Sequence, residues 1–174
     1  MADPVTHKLL VQAAAKWLRS TQKCSVVLAE MVCYAPSIPD AIGWQSANGG
    51  WSILVECKVS RSDFLADRKK LIHALPDSHP GQERWYFTPK GLLDPRELPE
   101  GWRLAEYHAG RVYIRTLQSG PRFRYQLVAG RAQAEVPFLV SALRRHQIGV
   151  PFDAESARFE TVAVGNKRRA RRSR

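Results

Sequence analysis

One segment constrains the fold more than any other: residues 51–60, with the sequence WSILVECKVS. Its residues 53–55 form a continuous apolar run, which is typical of a strand buried on both faces. Glu56 and Lys58 follow that run directly, where charges are costly unless they are paired or bound to a ligand. Residues two apart project from the same face of a strand, so both charged side chains are expected to point the same way.

The spacing of apolar residues in the rest of the chain predicts the helices and strands around this central strand. Helices are expected over residues 5–20, 61–75 and 134–147, strands over 24–34, 40–44, 51–59, 83–88, 102–107 and 111–116, and one short helical turn over 95–98. Residues 118–130 are ambiguous. This order predicts an α/β fold, with a mixed sheet core flanked by helices.

The length of the chain indicates its domain organisation, and its charge indicates the class of partner. The 174 residues suit one domain over residues 1–150 and a polar, basic C-terminal tail over 151–174. A formal net charge of +11 favours a polyanion, because each phosphate that is neutralised releases counterions. No apolar stretch is long enough to span a bilayer, so no membrane partner is expected.

The cysteines and the N-terminus predict a cytoplasmic protein. Cys24, Cys33 and Cys57 have no CxxC spacing. Their odd number argues against a disulfide framework, and no clustered His or Cys supplies a structural zinc site. Residues 1–6 lack the basic segment and apolar core of a signal peptide. The three thiols are therefore expected to be reduced.

A second acidic residue extends the charged pair into a candidate metal site. Asp40 lies sixteen positions before Glu56, across a predicted hairpin turn at residues 48–50, so the two carboxylates can meet. Two carboxylates and a backbone carbonyl suit Mg²⁺ or Mn²⁺, and Lys58 would orient or deprotonate a water. The alternative is a solvated strand face or a simple ion pair between Glu56 and Lys58.

The longer string VECKVSRSDFLADRKK makes the pattern more specific. With the upstream Pro-Asp, it resembles the PD-(D/E)XK nuclease superfamily, and within it the MmcB-like DNA-repair proteins, over about residues 28–113. The resemblance implies a restriction-endonuclease-like fold and a Mg²⁺-dependent endo- or exodeoxyribonuclease in DNA repair, recombination or phage DNA processing. It implies metal-binding carboxylates at Asp40 and Glu56 and a catalytic lysine at Lys58.

Members of this superfamily usually add a further acidic residue. Many use a glutamate of the first helix, but this chain has none between Val5 and Ser20, which makes Glu30 the candidate third metal ligand. An exposed place for Glu30 on an edge strand is the alternative. His7 lies near where the helical acid would be in related enzymes.

Several residues are candidates for DNA binding. Ser60 and Arg61 open the predicted second helix, whose N-terminal N–H groups favour phosphate. The other candidates are basic: Lys69 and Lys70 on the helix, and Lys167, Arg168 and Arg169 in the tail. Asp63 and Asp67 are interpreted as structural, Asp67 through an ion pair with Lys70.

Two other functions are compatible with the same composition. One is a nucleic-acid-binding module that has the nuclease-like fold without turnover. The other is a basic interaction protein in which residues 166–174 alone bind nucleic acid. Many members of the superfamily are dimers, so a homodimer stays open.

Overall fold

The computed structural model describes residues 5–30, 38–48, 50–68, 80–115 and 129–147. The helices in these ranges are α1 (His7–Ser20), α2 (Arg61–Arg68) and α3 (Ala129–Gln147), and the strands are β1 (Val26–Ala29), β2 (Ala41–Gln45), β3 (Trp51–Cys57), β4 (Glu83–Pro89), β5 (Trp102–His108) and β6 (Arg111–Arg115). Short 3₁₀ turns cover Ser46–Asn48 and Pro95–Glu97. The chain divides into two compact units, residues 1–141 and 142–174, and the second is described only over 142–147. The predicted tail, 151–174, lies outside the described residues.

The six strands form one mixed sheet in the order β1-β2-β3-β4-β5-β6. The central pairs β3–β4 and β4–β5 are parallel, whereas β1–β2, β2–β3 and β5–β6 are antiparallel. The predicted α/β class with a mixed sheet core and flanking helices is therefore confirmed. Since β3 pairs with β2 on one side and β4 on the other, the segment that carries Glu56 lies inside the sheet.

Helix α1 covers one face of the sheet. Thr6 caps its N-terminus, where the Thr6 hydroxyl accepts a hydrogen bond from the Leu9 amide at 3.2 Å. Its apolar stripe packs with the odd-numbered side chains of β3 and β4 in one buried cluster, which includes Leu10, Val11, Ala14, Trp17, Leu18, Ile53, Val55, Cys57, Trp85 and Phe87. The apolar residues at helical spacing in α1 and those at alternate positions in the strands thus pack in one core.

The opposite face carries two further clusters. One includes Leu54, Phe64, Tyr86, Trp102 and Leu104, and brings α2 onto the centre of the sheet. The other joins β2 to α3 and consists of the buried residues Ile42, Trp44 and Phe138. Glu56 and Lys58 alternate with Cys57, so they belong to the face that α2 covers.

Three sequence predictions are corrected by the structure. The strand expected over 24–34 is limited to Val26–Ala29 in the described part, because Glu30 has a positive φ of 49° that ends the extended backbone. Strand β3 ends at Cys57, two residues before the predicted end. Helix α3 begins at Ala129 and contains Pro137, whereas the sequence predicted a start at residue 134. Among the described residues, no helix has the length and apolar character needed to cross a membrane.

Candidate functional site

The β2–β3 register sets Asp40 beside Glu56. Ala41 pairs with Val55, so the next step outward along the antiparallel pair puts Asp40 opposite Glu56. The Asp40 carboxylate is fixed there by a hydrogen bond, in which the Cys57 amide donates to Asp40 Oδ2 at 2.7 Å. The hairpin predicted from the sequence therefore brings the two acidic residues together.

Glu56 is a carboxyl group in a largely buried position, with 14% of its side chain exposed. Its pKa is raised from 4.5 to about 8: burial is the largest cause, Lys58 opposes it, and the negative charges of Asp40 and Asp67 contribute to the rise. Asp40 and Asp67 therefore add negative charge around a carboxyl group that is already poorly solvated. Such a site has a high affinity for positive charge, whether a proton or a cation.

Lys58 lies between two carboxylates just beyond the end of β3. Its Nζ is 3.3 Å from Glu56 Oε2 and 3.3 Å from Asp67 Oδ1, and only 6% of its side chain is exposed. Burial lowers the pKa of Lys58, but the surrounding carboxylates, Glu56 and Asp67 foremost and then Asp63 and Asp40, together outweigh burial and raise the pKa above its ordinary value. Glu56 and Lys58 are thus in contact, but inside the protein and not on a solvated face.

Asp67 joins this cluster from α2, and sequence reasoning missed it. The sequence interpretation paired Asp67 with Lys70, which lies outside the described residues. Among the described residues, Asp67 contacts Lys58 through Oδ1 and accepts a hydrogen bond from the Tyr86 hydroxyl at Oδ2, at 3.0 Å, and it is only 3% exposed. One signal was present, because Asp67 lies three residues after Phe64 and so shares its buried helix face.

Tyr86 lies on β4 directly beside Glu56, since the two residues are paired in the parallel register. Its ring is buried and stacks on Trp102, with ring centroids 4.3 Å apart. Burial and the neighbouring Asp67 carboxylate raise the pKa of the Tyr86 hydroxyl far above its ordinary value, so it remains a donor. Since its ring is buried, Tyr86 is not exposed to stack on a nucleic-acid base.

His7 and Glu30 border the cluster on the Asp40 side. His7 Nε2 lies 3.3 Å from Asp40 Oδ1, so the first residue of α1 contacts the site. Glu30 follows β1, and its amide donates to the Asp40 carbonyl at 3.0 Å, but its side chain is exposed. The structure thus brings the backbone of Glu30 to the site, and the metal-binding role of its carboxylate stays a prediction.

The predicted phosphate contacts at the start of α2 have partners within the protein. Ser60 caps the helix, because its hydroxyl accepts a hydrogen bond from the Asp63 amide at 3.2 Å. The Arg61 guanidinium binds both Glu97 oxygens, at 2.9 and 2.7 Å, in an exposed pair. The other candidates, Lys69, Lys70, Lys167, Arg168 and Arg169, lie outside the described residues.

Within the ranges that the structure describes, no group of three or more His, Cys, Asp and Glu side chains is arranged to hold a metal ion. Asp40 and Glu56 nevertheless fit one hard cation. Mg²⁺ in proteins commonly binds one or two carboxylates and keeps several waters. The raised pKa of Glu56 also favours a bound cation, because a cation can replace the proton that this buried carboxyl group otherwise binds.

Comparison with known proteins supports the fold. No protein-family model matches the chain, and no curated protein matches it. A solved structure is similar: SPO1766, a protein of unknown function from Silicibacter pomeroyi, is 23% identical, with a TM-score of 0.57 over 84% of this chain and 90% of that chain. At this identity the likeness concerns the fold alone.

Proposed function

We propose that this chain is a metal-dependent deoxyribonuclease that hydrolyses DNA phosphodiester bonds with Asp40, Glu56 and Lys58. The observation that carries the proposal is the position of the Lys58 ammonium, buried and 3.3 Å from a carboxyl group that lies opposite Asp40 across the β2–β3 pair. An ammonium beside two carboxylates is an arrangement suited to hydrolysis of a phosphate ester.

Asp40 and Glu56 would hold the cation, Mg²⁺ or Mn²⁺. When bound, such a cation lowers the pKa of a coordinated water and stabilises negative charge that develops on phosphate oxygens. The hydrogen bond from the Cys57 amide keeps Asp40 oriented for this role, and burial keeps Glu56 poorly solvated. Glu30 is retained as a further proposed ligand.

Lys58 would act on the attacking water and on the phosphate. Its ammonium donates hydrogen bonds, so it can orient a water or offset the added negative charge of the transition state, whereas its raised pKa disfavours the proton-accepting role. Its Nζ is held by ion pairs and its backbone amide donates to the Phe87 carbonyl at 3.1 Å, so both ends of the residue are fixed. This rigidity supports a catalytic role, because catalysis depends on orientation.

The net positive charge of the chain indicates the class of substrate. A net charge of +11 favours a polyanion, and DNA agrees with the resemblance to MmcB-like DNA-repair proteins. The proposal therefore includes the restriction-endonuclease-like fold, a role in DNA repair, recombination or phage DNA processing, and a cytoplasmic location. The free, buried thiols of Cys24 and Cys57 support that location.

A cleavage panel tests the proposal. Single-stranded, duplex, nicked, flapped and branched DNA would be incubated with wild-type protein and Mg²⁺ or Mn²⁺. We expect Lys58→Ala to lower the cleavage rate by at least about 100-fold while DNA affinity changes little, because Lys58 acts in the chemical step. Lys16→Ala is the matched control, since it removes the same charge from the exposed surface of α1 and should cleave normally.

Two outcomes would contradict the proposal in different ways. Normal cleavage by Lys58→Ala would refute the assigned site. Absence of cleavage on every substrate, together with DNA binding by the wild type, would favour the nucleic-acid-binding module without turnover.

A further inference from the structure

Lys58 has two carboxylate neighbours, and only one of them belongs to the proposed metal site. Glu56 Oε2 and Asp67 Oδ1 each lie 3.3 Å from Lys58 Nζ. Glu56 lies on β3, two residues before Lys58, whereas Asp67 lies on α2, the helix that packs on this face of the sheet. The position of the ammonium therefore depends on how α2 docks on the sheet.

The charges of the cluster indicate what Asp67 would do if Glu56 held a cation. A divalent cation next to Glu56 would repel the Lys58 ammonium and would take up much of the negative charge that attracts it. Asp67 is outside the proposed ligand set, so its attraction for Lys58 is retained. With all groups ionised, Asp40, Glu56, Asp67 and Lys58 leave two net negative charges, the charge that one divalent cation neutralises.

Tyr86 fixes the orientation of Asp67. Its hydroxyl donates to Asp67 Oδ2 at 3.0 Å, which leaves Oδ1 directed at Lys58. Tyr86 is itself immobile, because it is fully buried, stacks on Trp102 and meets Phe64 edge-on at 5.1 Å. The carboxylate is thus held from β4 while it holds the lysine.

We propose that Asp67 is a positioning residue that holds the Lys58 ammonium in its catalytic place, and that Tyr86 orients Asp67 for this task. The inference rests on the proposed nuclease function and adds to it two residues that the Asp40–Glu56–Lys58 set lacks. Neither Asp67 nor Tyr86 touches substrate; each acts through Lys58.

Steady-state kinetics of Asp67→Asn and Tyr86→Phe test the inference. Asp67→Asn keeps the size of the side chain and removes its charge, and we expect kcat to fall about 10- to 100-fold with KM for DNA nearly unchanged. Tyr86→Phe keeps the ring packing and removes only the donor, so we expect a smaller fall in kcat, about 3- to 10-fold. Glu100→Gln is the control, because it removes one exposed carboxylate that is not among the charges acting on Lys58.

A second measurement needs neither metal nor DNA. The measurement is NMR of protein whose lysines carry ¹³C at Cε. An immobilised Lys58 should give two distinct proton signals for its Cε methylene group. These signals are assigned to Lys58 by their absence from the spectrum of Lys58→Arg. We expect the two signals to merge in Asp67→Asn and to approach each other in Tyr86→Phe, and to stay distinct in Glu100→Gln. A purely structural role of Asp67 would lower the melting temperature without this change in Lys58.

The outcomes separate the inference from the function beneath it. Unchanged kcat in Asp67→Asn, with an inactive Lys58→Ala and an active wild type, overturns the inference and leaves the nuclease function in place. A wild type that cleaves no DNA overturns both. If Asp67→Asn does not fold, Tyr86→Phe decides: a lower kcat with partly merged Lys58 signals supports the inference, and wild-type behaviour overturns it.

Discussion

At the scale of single residues, the burial of Glu56 makes the stability of the protein depend on pH. Burial raises its pKa from the ordinary 4.5 to about 8. Between those pH values the folded protein keeps a proton on Glu56 that the unfolded chain has released. The folded state then binds more protons than the unfolded state, so the free energy of unfolding falls as pH rises through this window.

Glu56→Gln should remove this dependence. One pKa unit corresponds to about 1.4 kcal/mol. Between about pH 5 and pH 9, we therefore expect the free energy of unfolding to fall by a few kcal/mol more in the wild type than in the variant. Urea unfolding in metal-free buffer across that range measures the difference. Glu100→Gln, on an exposed turn, is the control and should follow the wild type. Parallel curves for wild type and Glu56→Gln would contradict the assigned burial effect.

The residues of the site differ in how far the sequence could predict them. Strand alternation and a hairpin suffice to bring Asp40, Glu56 and Lys58 together, because both rules are local. The contacts of Asp67 depend on which face of α2 is buried and on Tyr86 from a distant strand, so spacing along the helix does not indicate Lys58 as its neighbour. Arg61 likewise has a partner 36 residues away in Glu97, which no local pattern indicates.

At the scale of elements, a single carboxylate connects α3 to the sheet. Glu135 Oε2 accepts a hydrogen bond from Trp44 Nε1 on β2 at 2.8 Å, and Oε1 accepts from Ser52 Oγ on β3 at 2.6 Å. The Gly81 amide, just before β4, also donates to Oε1 at 3.0 Å. Three separate segments of the chain therefore depend on one residue of the helix.

Glu135→Ala should consequently destabilise the fold. Three donors lose a charged acceptor, and we expect the free energy of unfolding to fall by about 2 to 4 kcal/mol. Chemical denaturation followed by circular dichroism measures it. Val136→Ala, at the next position and 51% exposed, should change stability by less than about 0.5 kcal/mol. A Glu135→Ala variant as stable as Val136→Ala would show that these hydrogen bonds do not hold α3.

The same helix shows where prediction of elements from sequence fails. The strands β2 to β6 have strong alternation or β-branched runs, and their predicted positions agree with the structure to within two residues. The predicted start of α3, residue 134, is five residues later than the observed start at Ala129. Gly130, before the predicted start, and Pro137, inside both the predicted and the observed helix, each disfavour helix locally. Packing of Phe138 and the hydrogen bonds of Glu135 offset these costs, and both involve strands far away in sequence.

At the scale of the whole molecule, the dominant property is positive charge. The net charge of +11 is concentrated toward the end of the chain, where residues 166–174 contain six basic residues and no acidic one. Charge of this kind attracts DNA without aligning it for chemistry, because phosphate contacts are independent of base sequence and of the cluster around Lys58. Binding and catalysis should therefore be separable by truncation.

Truncation after Gly165 tests this separation. It lowers the net charge from +11 to +5, and each lost phosphate contact reduces the slope of log K against log salt by about 0.9. We therefore expect a higher Kd for duplex DNA at low salt and a flatter salt dependence, with kcat at saturating DNA within about 2-fold of wild type, because the site lies in residues 40–86. A full-length variant with its last six basic residues changed to Gln controls for chain length. An unchanged salt slope would mean that residues 166–174 do not contact DNA, whereas loss of all DNA affinity would favour the basic interaction protein over the nuclease.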